Sequence, residues 1–277
     1  MPMPGELACV EIGGIPISLA TSNKTFFELL TGRYQGFLSG SPSDVKLEFE
    51  IVETRSAPDQ DVNVRRDGPE WRIERGDFGA RWNPHTGRGF VRQNASPYAL
   101  DSVLRILHSL IVADRGGFLL HSASAVCDGR AYLFSGVSGA GKTTMTRLAP
   151  PDVTLLTDEI SYVCPGSDRD TGSYFAFGTP FAGELARPGE NVKAPIAALF
   201  FLEKGPENVI NELSSVEAVR RLMRNILFFA EDRRLVEKLL ASACDFVARV
   251  PIRRLTFYPD SRVWDEVRAF GGVQLHA

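Results

Sequence analysis

The sequence has few cysteines and no long uninterrupted apolar run. Its 277 residues include four cysteines, none paired at the C-x-x-C spacing or placed near a histidine at metal-ligand spacing. These spacings argue against a zinc site and a disulfide scaffold, and favour scattered thiols in a reducing compartment. The longest apolar stretch, residues 100–113, is interrupted by Asp101, Arg105 and His108 and is too polar to span a membrane.

An excess of charge of either sign is also missing. The chain has 31 Lys and Arg against 34 Asp and Glu, a net charge of −3, which argues against a strongly basic nucleic-acid-binding protein. The N-terminal residues lack a basic segment followed by an apolar one, so no signal peptide is expected. We therefore predict a soluble cytoplasmic protein with neither nucleic acid nor membrane as a partner.

The hydrophobic pattern changes at about residue 95. Before it, apolar and charged residues alternate, as in residues 45–51, which predicts β-strands. Residues 96–114 change to a helical period with a Ser-Pro start, and strands then alternate with helices from Gly117, which predicts an α/β fold. We predict two domains: residues 1–95, β-rich and accessory or substrate-recognising, and residues 96–277, which hold the chemistry.

A complete P-loop sequence follows two apolar runs. Residues 117–126 and 130–135 flank Asp128-Gly129, a strong hairpin pattern, and the second run leads into GVSGAGKT, which fits G-x-x-x-x-G-K-[ST]. Such loops surround phosphate oxygens with backbone N–H groups, and the following helix points its N-terminus at the same anion. The alternative, a glycine-rich turn that binds nothing, is disfavoured by the strand–loop–helix context. The predicted nucleotide-binding residues are Gly136, Ser138, Gly139, Ala140, Gly141, Lys142, Thr143 and Thr144.

This motif predicts ATP and Mg²⁺ as cofactors. Lys142 would contact the β and γ phosphates, and the Thr143 hydroxyl would bind the metal. A P-loop protein also needs an acidic residue near the metal. Asp158 and Glu159, in the predicted strand 154–163, are the candidates. The alternative is two solvated acids, but adjacent carboxylates inside an apolar run favour a functional pair.

His121 is a further candidate for the site. It lies in an apolar strand that pairs, through the Asp128-Gly129 turn, with the strand before the P-loop. It could hydrogen-bond Asp158 and tune its basicity, or it could be a satisfied core histidine. The sequence leaves both interpretations open.

The stretch LLHSASAVCDGRAYLFSGVSGAGKTT, followed by LLTDEISYV, resembles the HPr kinase/phosphorylase superfamily, and more closely the HPr-kinase-related proteins. In that family a histidine stands on the strand before the P-loop, and an Asp-Asp pair follows on the next strand. His121, Asp158 and Glu159 occupy these positions here, with glutamate in place of the second aspartate. GTPFAGE, residues 178–184, and the closing IRRLTFYPDSRVWDEV are also similar, and the resemblance covers roughly residues 96–277.

The resemblance implies an α/β fold with a P-loop nucleotide-binding core of the HPr kinase C-terminal type and a smaller N-terminal β-rich α+β domain. It also implies ATP- and Mg²⁺-dependent transfer of the γ-phosphoryl group to a serine of a protein or peptide, such as a ribosomal peptide precursor, by a homo-oligomer. Asp158 would take the serine proton, and Thr143, Asp158 and Glu159 would hold the metal. Arg187, just past GTPFAGEL, is the candidate for a second positive charge near the phosphoryl group.

Two other functions stay open. One is a kinase of the same fold that acts on a small-molecule hydroxyl. The other is a non-catalytic, ATP-dependent switch or scaffold in which the N-terminal β region grips a partner. The adjacent Asp158 and Glu159 favour an enzyme, because a pure binder needs only one acid near the metal.

Overall fold

A computed structural model describes residues 5–53, 61–166 and 172–274. The chain divides into two compact units, which are described one at a time. The first is formed by Met1–Ile111 with Phe228–Val236, and the second by Val112–Leu227 with Glu237–Ala277. The accessory and chemical roles given to the two predicted domains stay predictions.

Among the residues that the structure describes, seven strands form the sheet of the first unit: β1 (Glu6–Ile12), β2 (Ile15–Thr21), β3 (Val45–Ile51), β4 (Asn63–Asp67), β5 (Glu70–Arg75), β6 (Phe78–Trp82) and β7 (Arg88–Gln93). Their order is β1-β2-β3-β7-β6-β5-β4, with β3 parallel to both of its neighbours. The alternation predicted in β3 is confirmed: Val45, Leu47 and Phe49 are buried and the residues between them are exposed.

Two α-helices accompany this sheet, α1 (Lys24–Arg33) and α2 (Pro97–Asp114), and a short 3₁₀-helix follows α1. The predicted helix 96–114 is confirmed by α2. Asp101, which interrupts its apolar face, is 4% exposed and joins the two helices. Its carboxylate accepts hydrogen bonds from Arg33 Nε at 2.8 Å and from the Tyr34 hydroxyl at 2.6 Å. The buried acid is therefore a structural link within the first unit.

In the described part of the chain, nine strands form the second sheet: β8 (Phe118–Cys127), β9 (Arg130–Ser135), β10 (Thr154–Thr157), β11 (Ile160–Pro165), β12 (Tyr174–Phe177), β13 (Lys193–Lys204), β14 (Val209–Glu212), β15 (Ile226–Leu227) and β16 (Ile252–Phe257). The remaining helices are α3 (Lys142–Arg147), α4 (Ser215–Asn225), α5 (Arg233–Arg249) and α6 (Val263–Gln274). Among the described residues, no helix combines the length and the apolar character needed to cross a membrane.

Strand pairing in this second sheet closes on itself. The pairs β8–β11, β11–β12, β12–β13, β13–β9 and β9–β8 return to the starting strand, so five strands form a ring. Among the described residues of this sheet, two pairs are parallel, β9–β13 and β13–β16. The carboxyl ends of these three strands meet at one edge.

The predicted fold class, an α/β P-loop core of the HPr kinase C-terminal type with a smaller β-rich domain, is wrong. Strands hold 38% of the structure and helices 29%, and the sheets are mixed. The physical reason lies between β10 and β13, where the described strands follow one another without a helix and pair antiparallel, so they lack the crossover helices that parallel pairing requires. The predicted strand 154–163 is also divided into β10 and β11, on either side of Asp158 and Glu159.

The hairpin before the P-loop is confirmed. Asp128 and Gly129 both have positive φ, 51° and 74°, the backbone of a two-residue type I′ turn. Cys127 pairs with Arg130 on the two sides of the turn. The local Asp-Gly pattern thus aligns β8, which carries His121, with β9, which leads into the P-loop.

The core beneath the P-loop is aromatic. The Phe134 ring of β9 stacks on Phe200 of β13 at a centroid distance of 5.8 Å and meets Trp264 of α6 edge-on at 5.4 Å. The Trp264 indole N–H donates to the Met145 carbonyl of α3 at 3.1 Å. The P-loop helix therefore rests on a packed, hydrogen-bonded base.

Candidate functional site

The P-loop lies at the edge where the three parallel strands end. It starts after Ser135, the last residue of β9, which is level with Phe201 of the neighbouring β13. β16 lies on the far side of β13 and ends at Phe257. In sheets with parallel strands, ligands bind at the carboxyl edge, so the loop occupies a favourable position.

The conformation of the P-loop depends on glycine. Gly141 has a φ of +112°, and a Cβ atom there would lie 2.5 Å from Cζ of Phe257. Any larger residue would therefore be strained in its backbone and would clash with the core. The Lys142 ammonium donates to the Gly136 carbonyl at 3.1 Å, which closes the loop on itself.

A cavity of about 650 Å³ opens beside the loop. The predicted residues that line it are His121, Ser138, Gly139, Gly141, Lys142, Thr143, Thr144, Asp158 and Glu159. Two other predicted residues stabilise the loop: the Gly136 carbonyl accepts a hydrogen bond from Lys142, and Ala140 is buried in the apolar core. The structure thus brings the loop, the histidine and both acids to one place.

Asp158 is held rigidly at the junction of β10 and β11. It is 4% exposed, and its Oδ1 and Oδ2 accept backbone N–H groups of Gly183 at 2.8 Å and Leu185 at 2.9 Å. The two amides fix the plane of the carboxylate. Glu159 is only partly buried and lines the cavity beside it. The two adjacent acids therefore have different surroundings.

The segment that provides these two amides, residues 178–192, is itself anchored on β10. The Thr179 N–H donates to the Leu156 carbonyl at 3.0 Å, and the Gly189 N–H donates to the Thr179 carbonyl at 3.0 Å. A Cβ atom on Gly189 would lie only 1.7 Å from the Leu156 oxygen. This close backbone approach places Glu184 at the cavity.

The charged groups of the cavity influence one another. Burial lowers the pKa of Lys142, while the nearby carboxylates of Glu184 and Glu159 act in the opposite direction. Burial also lowers the pKa of His121, and the charge of Lys142 lowers it further. A hydrogen bond between His121 and the Glu159 backbone opposes this shift. The two printed hydrogen bonds of the Asp158 carboxylate come from backbone N–H groups, and its hydrogen bond with His121 stays a prediction.

Arg187 does not join this group. Its side chain is 70% exposed and pairs with Glu190 at 3.6 Å, and it is not among the residues that line the cavity. Lys204, at the end of β13, lines the cavity instead. Sequence reasoning missed Lys204 and Glu184, although Glu184 stands in the GTPFAGE stretch and Lys204 closes an apolar run.

The oxygen donors at the cavity fit a magnesium ion bound together with a nucleotide. The described part of the chain holds no group of three or more His, Cys, Asp or Glu side chains arranged for a metal. Mg²⁺ in phosphate sites usually takes one or two carboxylates and completes its shell with phosphate and water oxygens. The Thr143 hydroxyl and the Glu159 carboxylate both line the cavity and are donors of this kind.

Fold and site together define a β-rich protein with a P-loop sequence at the carboxyl ends of three parallel strands. A family model described as SynChlorMet cassette protein ScmC matches residues 98–270, more than half of the chain. The chain belongs to this ScmC family. All of the candidate site residues lie inside the match. No curated protein matches the chain.

Proposed function

We propose that the protein is an ATP- and Mg²⁺-dependent phosphotransferase that transfers the γ-phosphoryl group to a serine hydroxyl of a protein or peptide. The observation that carries the proposal is the meeting of Lys142, Thr143 and Asp158 at one cavity of about 650 Å³. A glycine-rich loop alone would favour phosphate binding. A buried, rigidly held carboxylate beside it adds a group that can take a proton.

The mechanism assigns each residue one task. The loop amides and Lys142 would hold the triphosphate, and Thr143 with Glu159 would hold the metal, which when bound neutralises phosphate charge. Asp158 accepts the proton of the acceptor hydroxyl. That oxygen forms a bond to the γ-phosphorus while the bond to the β–γ bridging oxygen breaks, and ADP leaves. Positioning and charge neutralisation supply most of the rate.

The choice of a serine in a peptide or protein follows the sequence resemblance around the P-loop. A ribosomal peptide precursor is one such acceptor. A small-molecule hydroxyl and a non-catalytic switch are the competing outcomes of the experiment below. The homo-oligomer stays a prediction.

We place the protein in the cytoplasm. All four cysteines carry free thiols in the structure, as a reducing compartment favours. A protein recovered from cells with these thiols oxidised to disulfides would contradict this location.

The test is phosphoryl transfer by the purified protein. Wild type and Lys142→Met are incubated with Mg²⁺, γ-labelled ATP and a panel of serine peptides, each paired with its serine-to-alanine version. We expect label on the serine peptide with wild type, and a loss of at least about 100-fold in Lys142→Met, because its phosphate-binding charge is gone. Label on metabolites alone would favour the small-molecule kinase. Nucleotide binding without transfer to any acceptor would favour the switch.

A further inference from the structure

We propose that Lys204 is a second catalytic cation of this site and contacts the phosphoryl group as it is transferred. The inference rests on the proposed function and deepens it. It replaces Arg187, which the sequence favoured, with a residue that the strand order brings to the loop.

The placement of Lys204 follows from parallel pairing. Leu199, Phe200 and Phe201 of β13 lie level with the last three residues of β9. The first loop residue, Gly136, then lies against Leu202, the next residue of β13, because a Cβ atom on Gly136 would lie 3.3 Å from the Leu202 oxygen. Lys204 follows two residues later and ends the strand, so it lies at the same edge as the loop.

Alternation along β13 separates Lys204 from the neighbouring charges. Glu203 accepts a hydrogen bond from Arg221 at 2.9 Å. Successive side chains of a strand point to opposite sides, which directs Lys204 away from Arg221 and toward the cavity it lines. Within the described ranges Lys204 makes no ion pair, whereas Arg187 pairs with Glu190 and Arg221 with Glu203. Its ammonium is therefore available to a bound anion.

The excess of acidic side chains at the cavity favours a second cation there when an anionic ligand binds. The acidic side chains of Asp158, Glu159 and Glu184 line the cavity together with the basic side chain of Lys142. A polyphosphate entering there adds further negative charge, and during transfer that charge grows on the bridging oxygen of the leaving ADP. A second ammonium at the cavity stabilises this change most in the transition state, where it raises kcat more than it lowers KM.

The experiment compares variants of the full chain by steady-state formation of ADP with the serine peptide acceptor, and by binding of a non-hydrolysable ATP analogue with Mg²⁺. Lys204→Met should lower kcat by about 100-fold and weaken analogue binding much less. Lys204→Arg, which keeps the charge, should recover part of the rate. Lys46→Met makes the same charge change on an exposed position of the first unit and should leave the rate unchanged. Because Lys204 is exposed, all variants should unfold at the same denaturant midpoint.

Wild-type kcat in Lys204→Met would overturn the inference, as would an equal or larger loss in Arg187→Met. The failure of the proposed function has a different result. If wild type and Lys142→Met bind the analogue equally, or wild type does not bind it, the nucleotide site itself is wrong and Lys204 loses its role with it. If Lys142→Met loses binding while Lys204→Met behaves as wild type, only the assignment of Lys204 is wrong.

Discussion

Asp158 and Glu159 are neighbours in the chain but differ in their surroundings. The sequence predicts a pair of acids at the end of a strand, and it treats the two as nearly equivalent. The structure gives Asp158 two backbone donors and deep burial, and leaves Glu159 facing the cavity. This difference supports separate tasks, proton acceptance for Asp158 and metal binding for Glu159.

Substitution of Asp158 should affect both activity and stability. In Asp158→Asn one acceptor oxygen becomes an NH₂ group that faces a backbone N–H, so one of the two hydrogen bonds is lost. We expect turnover to fall at least about 100-fold and the free energy of unfolding to fall by about 1–3 kcal/mol. Transfer assays and urea unfolding measure the two effects. Glu190→Gln, at an exposed acid in the segment 178–192 that donates to Asp158, is the control and should change stability by less than about 0.5 kcal/mol. Retained transfer in Asp158→Asn would remove the proton acceptor from the mechanism.

His121 predicts a pH dependence of stability. Burial and Lys142 lower its pKa below the ordinary value of 6.5, so the folded protein binds this proton less readily than the unfolded chain. Well above pH 6.5 the His121 side chain is neutral in both states and does not change the free energy of unfolding. As the pH falls below 6.5 toward the lowered pKa of the folded state, the unfolded chain binds the proton more readily and the fold is destabilised. The urea midpoint of wild type should therefore drop more steeply between pH 7 and pH 5 than that of His121→Gln. Parallel pH profiles of the two proteins would contradict the burial of this imidazole.

At the scale of elements, local patterns were sufficient for some parts and not for others. The helix α2 and the Asp128-Gly129 hairpin follow from periodicity and turn chemistry, which act over a few residues. The P-loop follows from its motif. The parallel pairing of β9 with β13 and the closed ring of strands join residues far apart in the sequence, and no local pattern encodes them.

The two site residues that the sequence missed depend on those distant pairings. Lys204 reaches the loop only because β13 lies beside β9. Glu184 reaches it because backbone hydrogen bonds hold residues 178–192 on β10. Neither the strand pairing nor these backbone hydrogen bonds produce a periodic pattern in the sequence.

The P-loop gives a prediction at this scale. Gly141→Ala should weaken binding of an ATP analogue at least tenfold, because the new methyl group clashes with the Phe257 ring and forces the loop to shift. Gly139 also has a positive φ, +76°, but its surroundings are open. Gly139→Ala therefore carries only the backbone strain, about 1–3 kcal/mol at most, and should bind the analogue more tightly than Gly141→Ala. Calorimetric titration compares the two, and the reverse order would show that packing against Phe257 does not set the loop conformation.

At the scale of the whole molecule, the candidate site belongs to one compact unit. His121, the P-loop, the two acids, Glu184 and Lys204 all lie within Val112–Leu227. The first unit has its own sheet and its own buried polar link at Asp101. The stability of the first unit and the nucleotide binding that we propose for the second can therefore be measured separately.

Asp101→Ala tests this separation. It removes the acceptor of Arg33 and leaves the Tyr34 hydroxyl buried without its partner, which should cost about 3 kcal/mol of unfolding free energy. Asp67→Ala removes an exposed ion pair with Arg72 of 3.2 Å and should cost less than about 1 kcal/mol. Below the unfolding transition both variants should bind the ATP analogue with wild-type affinity. A large loss of affinity in folded Asp101→Ala would mean that the site depends on the first unit.

Calorimetric titration of wild type and Lys142→Met with a non-hydrolysable ATP analogue and Mg²⁺ tests the central claim most directly. A P-loop site predicts saturable binding at one site in wild type, and a loss of at least tenfold, about 1.4 kcal/mol, in Lys142→Met. No binding by wild type, or equal affinity in the two proteins, would contradict it.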